Sequence, residues 1–233
     1  MAPVLPLVLV PGLLCSARLF APQIAALWPF GPVTVADHRR DDDMAAISAR
    51  ILADAPPRFA LAGLSMGGHI AFAMLRLAPE RIAKLALLDT SARPDTAEQS
   101  AQREKLIAMA DGGRLNDVVE ILAPRFLHRG RQNDVALKRT LQEMAADVGP
   151  KAFVRQQKAI MSRMDSRPFL AAIHCPTLVL VGDGDELTPP ELSKEICAGI
   201  SGARFIVVPG CGHLSTLEKP DAVNAALAEW LST

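Results

Sequence analysis

Phe59-Ala-Leu-Ala-Gly63-Leu-Ser65-Met-Gly67-Gly68 decides the reading of this 233-residue chain. Phe59–Ala62 has the length and apolarity of a buried strand, Met66–Ala78 has helical spacing, and Gly-x-Ser-x-Gly falls at the turn between them. A serine held at a sharp strand-to-helix corner presents its hydroxyl in a strained backbone, and the flanking glycines remove side chains that would collide there. The corner also puts Ser65 at a helix N-terminus, where amide donors and the helix dipole favour negative charge developing on a reacting oxygen. Ser65 is therefore a candidate nucleophile.

Working outward, similar apolar runs recur at Leu5–Val10, Val33–Ala36, Ile82–Leu88, Thr177–Val181 and Phe205–Val208. Each is too short for a helix and reads as a strand buried on both faces. Helical spacing at Pro22–Leu27, Asp43–Ala53, Pro190–Ala198 and Asp221–Leu231 separates several of them. Strands alternating with helices imply an α/β fold with a doubly wound, mainly parallel sheet of about six strands. Between Leu88 and Thr177 the rhythm breaks. Four helices are expected there, Thr96–Asp111, Arg114–Leu127, Asp134–Asp147 and Pro150–Met164, punctuated by Gly112-Gly113, Gly130 and Gly149-Pro150. The expected organisation is a core of residues 1–91 and 170–233, with a helical cap of residues 92–169 inserted after the fourth strand as a candidate lid.

Charge and cysteine usage narrow the function. Twenty-five basic and 25 acidic residues cancel, without a basic block, which argues against a nucleic-acid partner and for small, roughly neutral substrates. Cys15, Cys175, Cys197 and Cys211 show neither close pairing nor zinc-type spacing and read as free thiols in a reducing compartment. The apolar start, Met1 to Leu14, lacks a preceding basic residue and is broken by Pro3, Pro6 and Pro11; it reads as a buried strand rather than a signal peptide. No run approaches the roughly 18 apolar residues of a membrane span. A cytoplasmic protein, monomer or homodimer, without membrane partner, cofactor or metal, is the expectation.

A serine hydroxyl is a weak nucleophile at neutral pH, so a base must take its proton and a third group must hold that base. Of five histidines, His213 stands in Pro209-Gly-Cys-Gly-His-Leu, between the last expected strand and the final helix, where sheets of this kind carry active-site residues. His38 lies in a charged loop, His128 in a polar stretch and His174 before a strand; His69 follows the glycines and reads as structural or pocket-lining. The acid comes from Gly182-Asp-Gly-Asp185-Glu-Leu-Thr-Pro-Pro, whose position favours Asp185 while Asp183 and Glu186 read as solvated turn residues that stay open as alternatives.

These residues resemble the α/β-hydrolase superfamily, in particular small capped serine esterases, lactonases and carbon–carbon hydrolases. The resemblance spans nearly the whole chain and rests on Gly63-Leu-Ser-Met-Gly-Gly68, on Gly182-Asp-Gly-Asp185 with Thr188-Pro-Pro190, and on Gly212-His213 with Glu218-Lys-Pro220. The family order along the chain, nucleophile then acid then histidine, is met by Ser65, Asp185 and His213. The resemblance implies an oxyanion hole from the backbone N–H of Met66 and of Leu13, although the family's usual His-Gly-x reads Pro11-Gly12-Leu13 here. It also implies a sheet lacking the N-terminal hairpin, and Asp37-His-Arg-Arg-Asp-Asp-Asp43 replaces a loop that is glycine-rich in many relatives. An aspartate nucleophile, as in haloalkane dehalogenases and epoxide hydrolases, is absent.

The expected function is cleavage of a small carboxylic ester or lactone through an acyl-enzyme. A carbon–carbon hydrolase, a thioesterase or acyltransferase and a perhydrolase would use the same triad, and a receptor-like binding module would keep it with slow or no turnover. Inward cap residues are expected at Ile107, Met109, Val119, Ile121, Leu122, Phe126, Phe153, Ile160 and Met161, and Arg125, Arg129 and Arg131 offer charge to a substrate carboxylate.

Overall fold

The structure, a computed structural model, describes residues 4–233. Six strands form one sheet: β1 (Leu7–Val10), β2 (Val33–Val35), β3 (Phe59–Leu64), β4 (Ile82–Leu88), β5 (Thr177–Gly182) and β6 (Arg204–Val208). Their order is β2-β1-β3-β4-β5-β6 and every pairing is parallel. β1, β3 and β5 are buried along their whole length, as continuous apolar runs with helices on both sides must be. The edge strands β2 and β6 are only partly covered. The expected strand at the chain start is realised over Leu7–Val10, and Met1–Pro3 lie outside the described residues.

The connecting helices are α1 (Ala21–Leu27), α2 (Met44–Asp54), α3 (Met66–Leu77) and α7 (Pro190–Gly199), with α8 (Ser215–Glu218) and α9 (Pro220–Ser232) closing the chain. Right-handed crossovers put the β1-to-β2 connection on one face and the oppositely directed β2-to-β3 and β3-to-β4 connections on the other. Accordingly α2 packs on α3, and α1 packs on α9. The winding reverses between β1 and β3, and the crevice beyond the carboxyl ends of strands at such a reversal is where open α/β sheets hold ligands. Residues Pro11–Leu14 and Ser65 both emerge there.

Between β4 and β5 the chain builds α4 (Ala97–Asp111), α5 (Leu115–Phe126) and α6 (Val135–Met161), which pack on one another. Thr96 and Gln99 form a reciprocal capping box at α4, and Asp134 caps α6 through the amides of Ala136 and Leu137. Two expected helices are joined in α6. Gly149 leaves the helical region (φ 74°, ψ 165°) and Pro150 restarts the helix, so the chain kinks without a loop. The second half ends at Met161 rather than Met164, whose side chain is exposed. Ile121, expected to face inward, is 46% exposed, because the buried stripe of α5 runs through Val118, Val119, Leu122 and Phe126.

Candidate active site

Ser65 occupies the corner between β3 and α3 with φ 56° and ψ −116°, a conformation unfavourable for any residue with a side chain. Strain of this kind costs roughly 1–3 kcal/mol and persists only where the surroundings over-determine it. Here Ser65 N–H donates to Leu88 O (2.9 Å), and Ser65 O accepts from Thr90 Oγ1 (2.8 Å) and Gly68 N–H (2.9 Å). A Cβ on Gly63 would strike the Gly67 carbonyl, and one on Gly67 would strike the Val10 carbonyl. The glycines thus let helix α3 begin directly against two strands.

His213 hangs from the loop between β6 and α8, and Asp185 from the loop after β5. Ser65 Oγ donates to His213 Nε2 at 2.8 Å, and His213 Nδ1 donates to Asp185 Oδ2 at 2.8 Å. Asp185 is fixed by Thr188 Oγ1 (2.6 Å) and by the amides of Leu187 and Thr188 (2.9 Å each). Both the His213 and Asp185 side chains are buried. Asp183 and Glu186 are exposed; Asp183 accepts from Cys211 N–H at 3.1 Å and takes no part in the line to Ser65. The structure therefore brings Ser65, His213 and Asp185 together and leaves the other two loop carboxylates aside.

Burial works against a charged His213, yet the Asp185 carboxylate outweighs it and lifts the imidazole above its ordinary pKa. Burial likewise opposes ionised Asp185, but His213 and the Thr188 donors hold it below the usual carboxylate range. The pair is arranged for a proton to sit on the ring while the carboxylate stays ionised.

Leu13 and Met66 line the same cavity as Ser65. Gly12 lies close enough that a Cβ there would stand 3.3 Å from Ser65 Cβ. The Met66 amide is a first-turn donor without an intrahelical acceptor. Leu14, at φ 57°, turns its own amide away to Gln156 Oε1 (3.1 Å). Gln156 Nε2 and the Gly12 carbonyl both meet His38 Nε2, at 3.0 and 2.9 Å. That nitrogen serves one partner at a time, donating to Gly12 in one tautomer and accepting from Gln156 in the other. Burial pushes His38 down to about 4, so the ring stays neutral. The loop with Pro11 in the usual histidine position is thus held by a histidine from the β2–α2 connection and a glutamine from the kinked α6.

Two buried acids stand behind the site: Asp89, which the sequence reading missed, and Glu218, which it quoted in Glu218-Lys-Pro220 without a role. Asp89, at the carboxyl end of β4, accepts from Gly182 N–H (2.9 Å) through Oδ1 and is hydrogen-bonded to the Ser215 hydroxyl through Oδ2. It ties the root of the acid loop to the histidine loop. Burial, with Asp185 adding repulsion, lifts it to about 8. Glu218 accepts from Gly212 N–H and His128 N–H, both at 2.9 Å. Phe126 at the end of α5 stacks on His213 (centroids 6.0 Å, planes at 16°), and its carbonyl accepts from the amides of His213 and Leu214 (3.2 Å). The inserted helices are stitched to the histidine loop at this point.

The cavity above Ser65 has a volume of about 410 Å³. Leu106, Leu122, Phe126 and Ile160 from the inserted helices and Leu187 and Leu192 from the core give it apolar walls. His69 lines it too, neutral because burial and then the nearby Arg163 and Arg103 lower its proton affinity. Of the expected cap arginines, Arg125 lines it, Arg131 pairs with Asp134 (2.7 Å) and Arg129 lies elsewhere. Among the described residues no group of three or more His, Cys, Asp or Glu is arranged to hold a metal.

A six-stranded parallel sheet carrying a serine at a strained strand-to-helix corner defines an enzyme fold of the α/β-hydrolase class. The sequence model of the alpha/beta hydrolase family matches residues 7–226, and the chain belongs to that family. An esterase from Thermogutta terrifontis, solved with malate bound, superposes with a TM-score of 0.89 at 29% identity over 98% of this chain and 89% of that one. The enol-lactonase from Burkholderia xenovorans LB400 gives 0.89 at 23% identity over 100% and 93%, a likeness of fold. A pimeloyl-(acyl-carrier protein) methyl ester esterase from Neisseria meningitidis is 24% identical over 221 residues, 90% of this chain and 85% of that protein.

Proposed function

We propose that the protein is a serine hydrolase that cleaves a small carboxylic ester or lactone through an acyl-enzyme, with Ser65, His213 and Asp185 as its triad. The observation that carries this reading is the line of 2.8 Å hydrogen bonds, Ser65 Oγ to His213 Nε2 and Nδ1 to Asp185 Oδ2, opening on a cavity with apolar walls. The likeness to the Thermogutta esterase supports ester chemistry.

In the first half-reaction His213 Nε2 takes the Ser65 proton as Oγ attacks the ester carbonyl, and Asp185 stabilises the resulting imidazolium. The amides of Met66 and Leu13 donate to the oxyanion. Collapse expels the alcohol, protonated by His213, and leaves the acyl group on Ser65. Water then repeats the sequence: His213 takes its proton, hydroxide adds to the carbonyl, and Ser65 Oγ leaves with the proton returned. Burial of His213 and Asp185 strengthens each of these electrostatic steps.

The inserted helices act as a cap whose residues shape the acyl and alcohol sites. Four unpaired cysteines fit a protein working in the cytoplasm, and no described helix is long and apolar enough to cross a membrane. Ser65→Ala tests the reading: turnover of p-nitrophenyl acetate falls by at least about a thousandfold. Activity retained in that variant overturns it.

A further inference from the structure

Beside the cavity above Ser65 lies an excess of buried positive charge, of which Arg103 reaches the cavity wall while Arg163 faces a separate cleft. Asp95 Oδ2 accepts from Arg103 Nε at 2.7 Å, and Asp95 Oδ1 accepts from Arg163 Nη1 at 2.7 Å and from Arg103 Nη2 at 3.3 Å. The Asp95 and Arg163 side chains are 3% and 7% exposed, and Arg103 22%. Two guanidiniums share one carboxylate, and among the described residues neither has another acidic partner. An unmatched charge in so dry a place is unfavourable unless something supplies the counter-charge.

The donor count points the same way. Arg103 has five N–H groups; two go to Asp95 and one, from Nη1, to Gln157 Oε1 at 2.7 Å, which leaves two unengaged. That bond fixes the Gln157 amide, whose Nε2 is buried without a partner among the described residues. Arg103 and Gln157 both line the cavity that contains Ser65 and His213. The neighbouring charges do not cancel the excess. Among the described residues Arg93 is paired with Glu195 at 2.9 Å, Arg125 at the cavity wall has no ion pair, and the one carboxylate on the wall, Glu98, is exposed at the start of α4. His69 beside the two guanidiniums stays neutral.

We propose that this cavity takes a substrate bearing a carboxylate besides the ester or lactone bond it cleaves, and that Arg103, Gln157 and Arg125 receive that carboxylate. The proposal rests on Ser65 as the nucleophile. Its chemistry is a half-ester of a dicarboxylic acid, or an ester of a hydroxy acid, with apolar atoms between the two groups lying along Leu106, Leu122 and Ile160.

Two matched pairs of reporters separate those sources: p-nitrophenyl hemiglutarate against p-nitrophenyl pentanoate for the acyl side, and 4-acetoxybenzoate against phenyl acetate for the alcohol side. In one pair the charged ester has the higher kcat/KM, by about tenfold or more, the effect of one charge-assisted contact. Arg103→Gln removes most of that preference, largely through KM, and Arg125→Gln, an exposed position that leaves the fold intact, reduces it severalfold. Thermal-shift titration of the Ser65→Ala variant with glutarate needs no turnover: glutarate raises the melting temperature there and fails to do so once Arg103→Gln is added. Equal rates within both pairs, with Ser65 still turning over the neutral esters and no glutarate shift, overturn the proposal and leave the nucleophile standing. Loss of all ester turnover with the glutarate shift intact instead overturns the hydrolase reading and keeps the anion site.

Discussion

Replacing Asp89 with asparagine preserves the shape of a buried carboxylic acid and removes its titration. Asparagine Oδ1 accepts from Gly182 N–H and Nδ2 donates to Ser215 Oγ, as a protonated Asp89 would do from Oδ2. The native group titrates near 8 because burial, then the charge on Asp185, disfavours its ionised form; in the unfolded chain it titrates at about 3.9. Between those values the folded protein holds a proton that the unfolded chain has released. Stability of the native protein relative to Asp89→Asn is therefore greatest below pH 4 and falls as pH rises towards 8. One proton corresponds to about 1.4 kcal/mol per pH unit, so the gap widens by about 3 kcal/mol from pH 5 to pH 7. For a chain of this size that is roughly 6–12 °C in melting temperature. The measurement is thermal unfolding of both proteins at pH 5, 6 and 7, with urea unfolding as a check. The variant melts progressively higher than the native protein as pH rises, and its kcat/KM at pH 7 stays within about threefold, since the native acid is also neutral there. A gap that does not change with pH refutes the neutral-acid account of Asp89.

The remaining predictions concern the base and the loop beside it. His213 accepts the Ser65 proton only when neutral, so activity rises with pH through its pKa, which Asp185 holds above the ordinary value near 6.5; the acid limb of kcat/KM has its midpoint above that value, and Asp185→Asn lowers both the midpoint and the plateau in a pH–rate profile. Gln156→Leu leaves the Leu14 amide without its acceptor and His38 with the Gly12 carbonyl as its remaining partner; kcat falls about tenfold while the melting temperature drops by a few degrees, as comparison of steady-state kinetics with thermal unfolding checks.

The sheet was legible because parallel strands are buried on both faces and therefore appear as short continuous apolar runs, and all six runs became strands within two residues at either end. Ser65 was legible because its corner needs glycines that no other turn in this chain groups in that way. Choosing Asp185 over Asp183 and Glu186 rested on loop position, and burial distinguishes them in the fold: only Asp185 turns inward to His213. Asp89 was not legible, because Leu-Leu-Asp-Thr reads equally well as a strand ending in an ordinary turn; the available signal was an acid at the carboxyl end of the strand beside the nucleophile's. The His38–Gln156 link joins positions 118 residues apart and leaves no local pattern. Ile121 misled because Val118, Val119, Ile121 and Leu122 stand so close together in α5 that they offer two plausible apolar stripes, and packing of α5 on α6 selected the one through Val118 and Leu122.

Covalent labelling by a fluorophosphonate, followed by peptide mass analysis, tests the central claim most directly. An Oγ activated by His213 and faced by free amides reacts at Ser65 alone, and the labelling is lost in Ser65→Ala and much slowed in His213→Ala. A native protein that stays unlabelled while folded, or that is labelled at a serine other than Ser65, contradicts the assignment of this site.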